Sequence, residues 1–194
     1  MKAAHHKAVT KAATKVPSKN PPAASAELSE LRPGQSVELL KELHILTREG
    51  RLNQDSRRKL KQVYHLFNFI EPLLQEMSAN GHSPTLADHG AGKSYLGFIL
   101  YDLFFRERAA GTIYGIETRQ ELVDRSAALA QQLGFARMRF LALSSEESVK
   151  TASLPQQMDV VTALHACDTA TDAAIAFGLH KQAQHMVLGA VLSG

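Results

Sequence analysis

The twelve residues "LADHGAGKSYLG" (86–97) decide the fold, because they set an acidic residue and a tight glycine turn between two apolar runs. Thr85, Leu86 and Ala87 read as a strand, and "SYLGFILYDLFFRER" reads as the helix after the turn. The run Gly-Ala-Gly-Lys-Ser invites comparison with the triphosphate-binding loop Gly-x-x-x-x-Gly-Lys-[Ser/Thr]. The place of that loop's first glycine is taken by Ala87. The segment between strand and helix is also too short for an arc of backbone amides around phosphates. The competing reading is a glycine turn that holds a nucleoside cofactor.

Working downstream, short apolar runs alternate with helical ones. "TIYGIE" is a strand ending in Glu117, "RQELVDRSAALAQQLG" a helix, "MRFLAL" a strand, and the polar stretch after it a loop. "MDVVTALHA" is a strand, "TATDAAIAFGLHK" a helix and "HMVLGAVL" a last strand. This order predicts an α/β fold, a three-layer sandwich whose mainly parallel sheet is covered by helices on both faces. With right-handed crossovers it is Rossmann-like. The sequence contains no internal repeat.

Upstream, residues 36–80 form an N-terminal helical segment. In "SVELLKELHILTREG" the residues Leu39, Leu40, Leu43 and Leu46 stand at helical spacing, with Ser36 as N-cap and Gly50 as stop. A second helix starts at Asn53 or Asp55 and carries the stripe Leu60, Val63, Tyr64, Phe67, Ile70, Leu73, Leu74 and Met77, with Pro72 expected to kink or split it. Its first turns hold Arg57, Arg58, Lys59 and Lys61, either a solvated face or a patch for phosphate. Residues 1–35, rich in Ala, Lys, Ser and Pro, are expected to be a disordered basic tail. An RNA-binding arm and a mitochondrial presequence are the alternatives, the second disfavoured by the lack of arginine before Glu27. His5 and His6 read as incidental.

The formal net charge of +3 belongs to residues 1–30 of that tail, which set Lys2, Lys7, Lys11, Lys15 and Lys19 against Glu27 and Glu30; residues 31–194 are balanced. No apolar run is long enough to span a bilayer and the start lacks a secretory signal, so no membrane association and a cytoplasmic location are expected. A lone cysteine, Cys167, neither closes a disulfide nor builds a structural zinc site. At 194 residues the chain is long enough for one core, and residues 81–194 are read as the Rossmann-like domain.

The turn Asp88-His89-Gly90-Ala91-Gly92-Lys93-Ser94 resembles the acidic-x-Gly-x-Gly signature of class I S-adenosylmethionine-dependent methyltransferases. Ser94 stands where the fuller pattern has a third glycine. The likeness extends over about residues 37–190 and is most specific in "LHACDTATD" (164–172). It implies S-adenosylmethionine as cofactor, held by Asp88, Gly90, Ala91 and Gly92. Glu117, at the tip of the second strand, has two oxygens able to accept both vicinal ribose hydroxyls. A strand-end glutamate facing water is the alternative. Ser144, Ser145 and Glu146 fall where the family presents polar groups to the adenine edge. His165 and Asp168 fall where it lines the transferred methyl group, and are the catalytic candidates by position. Asp168 and Asp172 could equally cap the next helix, beside Thr169 and Thr171. His165, Cys167 and Asp168 lie too close together to converge on one ion, so no metal is expected.

The resemblance implies methyl transfer to an acceptor the sequence does not identify. RNA is a candidate through the basic segment. The family's sheet has seven strands, and its fifth is usually followed by more chain, often with a Pro-Cys-Cys run. Five strands are counted here, so a C-terminally truncated domain is expected, with association through the open last strand. The alternative is a non-catalytic binding module that keeps the fold. A nicotinamide oxidoreductase is disfavoured by Ser94 and by the lack of a hydride-relay pair.

Overall fold

The computed structural model describes residues 30–164 and 168–189. The lysine tail to residue 29, His165, Cys167 and the sequence beyond Gly189 lie outside the described residues. Strands β1 (Thr85–His89), β2 (Thr112–Glu117), β3 (Met138–Ala142), β4 (Val160–Leu164) and β5 (His185–Gly189) form one sheet in the order β3-β2-β1-β4-β5. Every pairing is parallel. The central β1, β2 and β4 are buried almost throughout, as strands covered on both faces must be. The chain leaves β1 toward β2 and β3 on one side and returns for β4 and β5 on the other. The order therefore reverses between β1 and β4, and in open α/β sheets a crevice forms outside the carboxyl ends of the strands at such a point.

Both faces are covered. On one, Leu86, Ile113, Met138 and Val160 meet α1 (Val37–Glu42), α2 (Gln54–Ala79), α3 (Tyr95–Leu100) and α4 (Gln120–Gln132) in one apolar cluster. On the other, Ala87, Ile116 and Val161 pack with Leu154, Met158 and Phe177, the last from α6 (Asp168–His180). Residues 30–35 lie along α2, with the Arg32 guanidinium 4.5 Å from the centre of the Phe67 ring.

Four local readings change. The first helix is short: Ser36 caps it as expected, but it ends at Glu42, and His44 takes a left-handed conformation. A helix continued through residue 46 would point Ile45 away from the leucine stripe. Reversing the chain instead buries Ile45, Leu46 and Leu52 together, and Leu46 bridges Leu52. The second helix runs unbroken through Pro72 for 26 residues. Pro72 and Asn68, whose carbonyl it deprives of a partner, are both exposed residues, so the lost bond falls on the solvent side while Leu66, Phe67, Ile70 and Leu74 hold both halves to the core. After α3 the chain widens into a π-helical turn at Tyr101–Phe105, which buries Tyr101, Asp102, Phe104 and Phe105. Asp102 accepts from the Ser36 amide at 2.8 Å and from Arg106 at 2.6 Å, tying the start of α1 to this turn. Finally, the expected loop after β3 contains a helix, α5 (Ser145–Lys150), started by a capping box between Ser144 and Glu147.

Candidate functional site

Three polar side chains meet at the carboxyl ends of β1, β2 and β4 and frame the glycine turn. Asp88 stands opposite Gly115 of β2 and Thr162 of β4. It is 2% exposed, and its carboxyl accepts from Thr162 Oγ1 at 3.2 Å and from Ser94 Oγ at 3.1 Å. Burial pushes that carboxyl up to about 7, against the lowering effect of both hydroxyls. Asp88 thus ties the β1–β4 junction to the start of α3.

Ser94 makes that tie in an unusual way. It adopts the left-handed conformation, φ 50°, that favours glycine, and is fully buried. Its hydroxyl fits because Gly97, one helical turn on, has no side chain: a Cβ there would lie 2.5 Å from Ser94 Oγ. Gly90 and Gly92 also have positive φ, 68° and 57°. A Cβ on Gly90 would meet nothing within 4 Å, so the turn opens on free space. The Ala91 amide donates to the Ile116 carbonyl at 2.9 Å, which locks the turn onto β2.

Glu117 closes the other side. Its carboxylate accepts from the Gly92 amide at 2.8 Å, and from the Arg119 amide, Nε and Nη2 at 3.1, 3.0 and 3.2 Å. Burial works to raise this acid, but the donors of Arg119 and Gly92 outweigh it and lower it to about 2. Two carboxyls on neighbouring strands are therefore driven in opposite directions, Asp88 by burial and Glu117 by its donors. At neutral pH Glu117 is a fixed anion with acceptor capacity only.

The remaining candidates are placed as follows. Asp88, Gly90, Ala91, Gly92 and Glu117 come together around the turn. Ser144 starts α5, where its Oγ accepts from the Glu147 amide at 3.3 Å and donates to the Glu147 carboxylate at 2.7 Å. Ser145 and Glu146 occupy the first turn of α5. Asp168 is the first residue of α6, while His165 lies outside the described residues. Among the described residues no cluster of His, Cys, Asp and Glu is built to hold a metal, and no helix is long and apolar enough to cross a membrane.

Sequence reasoning missed Thr162, Arg119 and His89. Thr162 had a signal, being the one hydroxyl in the buried strand "VVTAL". His89 is 7% exposed, its ring lies 5.1 Å from that of Phe177, and its Nε2 has no hydrogen-bond partner. Burial lowers its pKa, so it is neutral.

Comparison with known proteins adds three findings. A family model described as a methyltransferase domain matches residues 58–190. No curated protein matches the sequence. Similar solved structures include an rRNA methylase from Streptococcus thermophilus, 11% identical over 51% of this chain and 55% of that one, with a TM-score of 0.40. TrmK of M. capricolum, in complex with the cofactor product S-adenosyl-homocysteine, is 16% identical over 48% and 39%, with a TM-score of 0.40. Monomeric WbdD is 16% identical over 84% and 37%, with a TM-score of 0.49. The matches span between about a third and just over half of those chains' own length.

Proposed function

Because the chain belongs to the methyltransferase domain family, we propose that it binds S-adenosylmethionine at the glycine turn and transfers its methyl group to an acceptor. One observation carries this reading: an ionised, donor-ringed carboxylate, Glu117, sits at the tip of β2 within hydrogen-bond reach of the Gly92 amide. The chemistry of that site fits a nucleoside. Vicinal ribose hydroxyls are two donors that an acceptor-only group can take together, and Gly90 leaves free space above the turn for the rest of the ligand.

The residues then divide the work. Gly90, Ala91 and Gly92 give close backbone approach, and Glu117 orients the ribose. Asp88 acts from beneath, holding Ser94 and Thr162 so that the turn keeps its shape. Ser144, Ser145 and Glu146 are proposed for the adenine side, with Ser144 doubling as helix cap. His165 and Asp168 are proposed for the acceptor side, where alignment and removal of a proton from the nucleophile are the tasks left to the protein. The bound cofactor itself supplies the activated methyl group on a good leaving group.

RNA is the proposed acceptor class. Lys59, in the basic start of α2, lies 4.5 Å from the centre of the Tyr95 ring, at the residue after Ser94. Lys93 and Arg125, together with Glu42, line a cleft of about 310 Å³ whose apolar side includes Leu43, Leu122 and Leu129. Cationic groups beside an apolar wall suit phosphate and base together.

The test is calorimetric titration of S-adenosylmethionine and S-adenosylhomocysteine into the purified chain, with ATP and NAD as controls. Binding of the first pair alone is the expected result, and Glu117→Ala should weaken it markedly. No binding by a folded protein overturns the cofactor assignment. Labelled methyl transfer to an RNA fraction, and not to protein, is expected next. Binding without transfer to any fraction would replace the enzyme by a binding module.

A further inference from the structure

The Glu117 carboxylate offers about four lone-pair sites. Five donors meet them: the Gly92 amide and Arg119 Nη2 on Oε2, and Thr118 Oγ1, the Arg119 amide and Arg119 Nε on Oε1. Both oxygens are therefore fully engaged. The group assigned to two ribose hydroxyls has no site left for either.

The donors are not equally replaceable. The Gly92 and Arg119 amides belong to the backbone of the turn and of the start of α4, and stay. The Thr118 hydroxyl, at 3.2 Å, can turn away. The Arg119 guanidinium is the large occupant, and its side chain is 60% exposed. Its Nη2 also lies over the glycine turn, 3.9 Å from where a Gly92 Cβ would be. The fork thus spans the carboxylate edge and the open side of the turn at once. With it withdrawn, Oε2 regains one site, and Oε1 regains a second once Thr118 turns.

We infer that Arg119 is a displaceable occupant of the ribose site, which sets cofactor affinity by competing with the two vicinal hydroxyls for the Glu117 carboxylate. This rests on the assignment of Glu117 proposed above. The competitor is tethered two residues away and one side of the pair faces water, so its hold is that of a surface ion pair and is screened by salt. Binding exchanges one pair of donors for another and leaves a free guanidinium at the mouth of the site.

Calorimetry with S-adenosylhomocysteine, adenosine and 2′-deoxyadenosine on the full chain tests this. Removing the competitor in Arg119→Ala is expected to tighten S-adenosylhomocysteine binding by roughly 1.5- to fivefold. Arg119→Lys, which keeps the charge and loses the fork, should fall between. The preference for adenosine over 2′-deoxyadenosine should grow in Arg119→Ala, because only ligands with both hydroxyls compete. Raising salt from roughly 0.05 to 0.5 M should tighten wild-type binding and leave Arg119→Ala flat. Unchanged or weaker binding in Arg119→Ala overturns the inference. Glu117→Gln separates the two levels, since it should weaken binding by roughly tenfold or more. If Glu117→Gln does so while Arg119→Ala gains nothing, only the role of Arg119 fails. If Glu117→Gln binds as wild type, the ribose assignment fails and takes this inference with it.

Discussion

Gly97→Ala is the substitution that most directly tests how the turn is built. The new Cβ would lie 3.5 Å from Asp88 Oδ2 and from Met138 Cε, which are ordinary contacts, but 2.5 Å from Ser94 Oγ, which is not. Ser94 has nowhere to go, being fully buried in a left-handed conformation with its hydroxyl on Asp88. Relief requires turning the hydroxyl off the carboxyl, and a buried polar group stripped of its partner costs about 1–3 kcal/mol. Overpacking adds about 1–3 kcal/mol, while alanine in place of a helical glycine returns about 1 kcal/mol. The net expectation is a loss of about 2 kcal/mol, seen as a Tm lower by about 4–8 °C. In a Ser94→Gly background the clashing atom is gone, so the same change should stabilise by up to about 1 kcal/mol. Ser94→Gly alone should be nearly neutral, because losing the hydrogen bond is offset by about 1–2 kcal/mol of relieved left-handed strain. Urea denaturation of the wild type, both single variants and the double variant closes the cycle, with an expected coupling of about 3 kcal/mol. If Gly97→Ala costs the same in both backgrounds to within about 0.5 kcal/mol, Ser94 is not what Gly97 makes room for.

Two further outcomes follow from the polar groups beside the turn. Asp88 is raised from 3.8 to about 7 on folding, so the folded state binds more protons between those values and stability should fall as pH rises through that window. Urea stability followed from low to neutral pH should lose that downward slope in Asp88→Asn; equal slopes in the two proteins would refute the burial argument. His89→Leu replaces a buried, unpartnered nitrogen with a side chain of similar size, and a rise of about 2–4 °C in Tm is expected. A clear fall would mean that the imidazole makes a contact the packing does not show.

The parallel sheet was legible because its signals are local and redundant. Short β-branched runs, glycine stops and intervening helical periods each point to the same β/α alternation, and the acid before the glycines marks which strand comes first. Helix limits were less legible. In 36–50 the leucine spacing was read without Ile45, the one residue a continued helix would strand in water. In 144–147 the Ser-x-x-Glu capping box was present, but a polar stretch after a strand was read as a loop. The site divides in the same way. Asp88, the glycines and Glu117 are fixed by where strands end. Their partners are not: Thr162 comes from another strand, and the compensation between Ser94 and Gly97 depends on a left-handed residue. Arg119 was close in sequence yet invisible, since only side-chain direction brings its fork back onto Glu117.

The opposite end of the sheet provides a contrast with the end that carries the glycine turn. There Asp159, at the start of β4, meets the Thr85 amide at 2.7 Å, Thr85 Oγ1 at 2.8 Å and His82 Nε2 at 2.9 Å. Burial works against its charge, but these partners lower its pKa overall. Those partners knit β1 to β4 and to the chain leading into β1, so an acid there is explained by stability alone. At the carboxyl end the account does not balance in the same way. Asp88 is held near neutrality by burial rather than by a cation, His89 keeps a nitrogen unpartnered, Ser94 bears left-handed strain, and Glu117 is engaged by an exposed guanidinium. A structure selected for stability alone would replace each of these cheaply. Their convergence on one glycine turn at the reversal of strand order is a cost that the Asp159 cluster avoids while burying a carboxylate in the same sheet, and that contrast supports the binding role proposed for the turn.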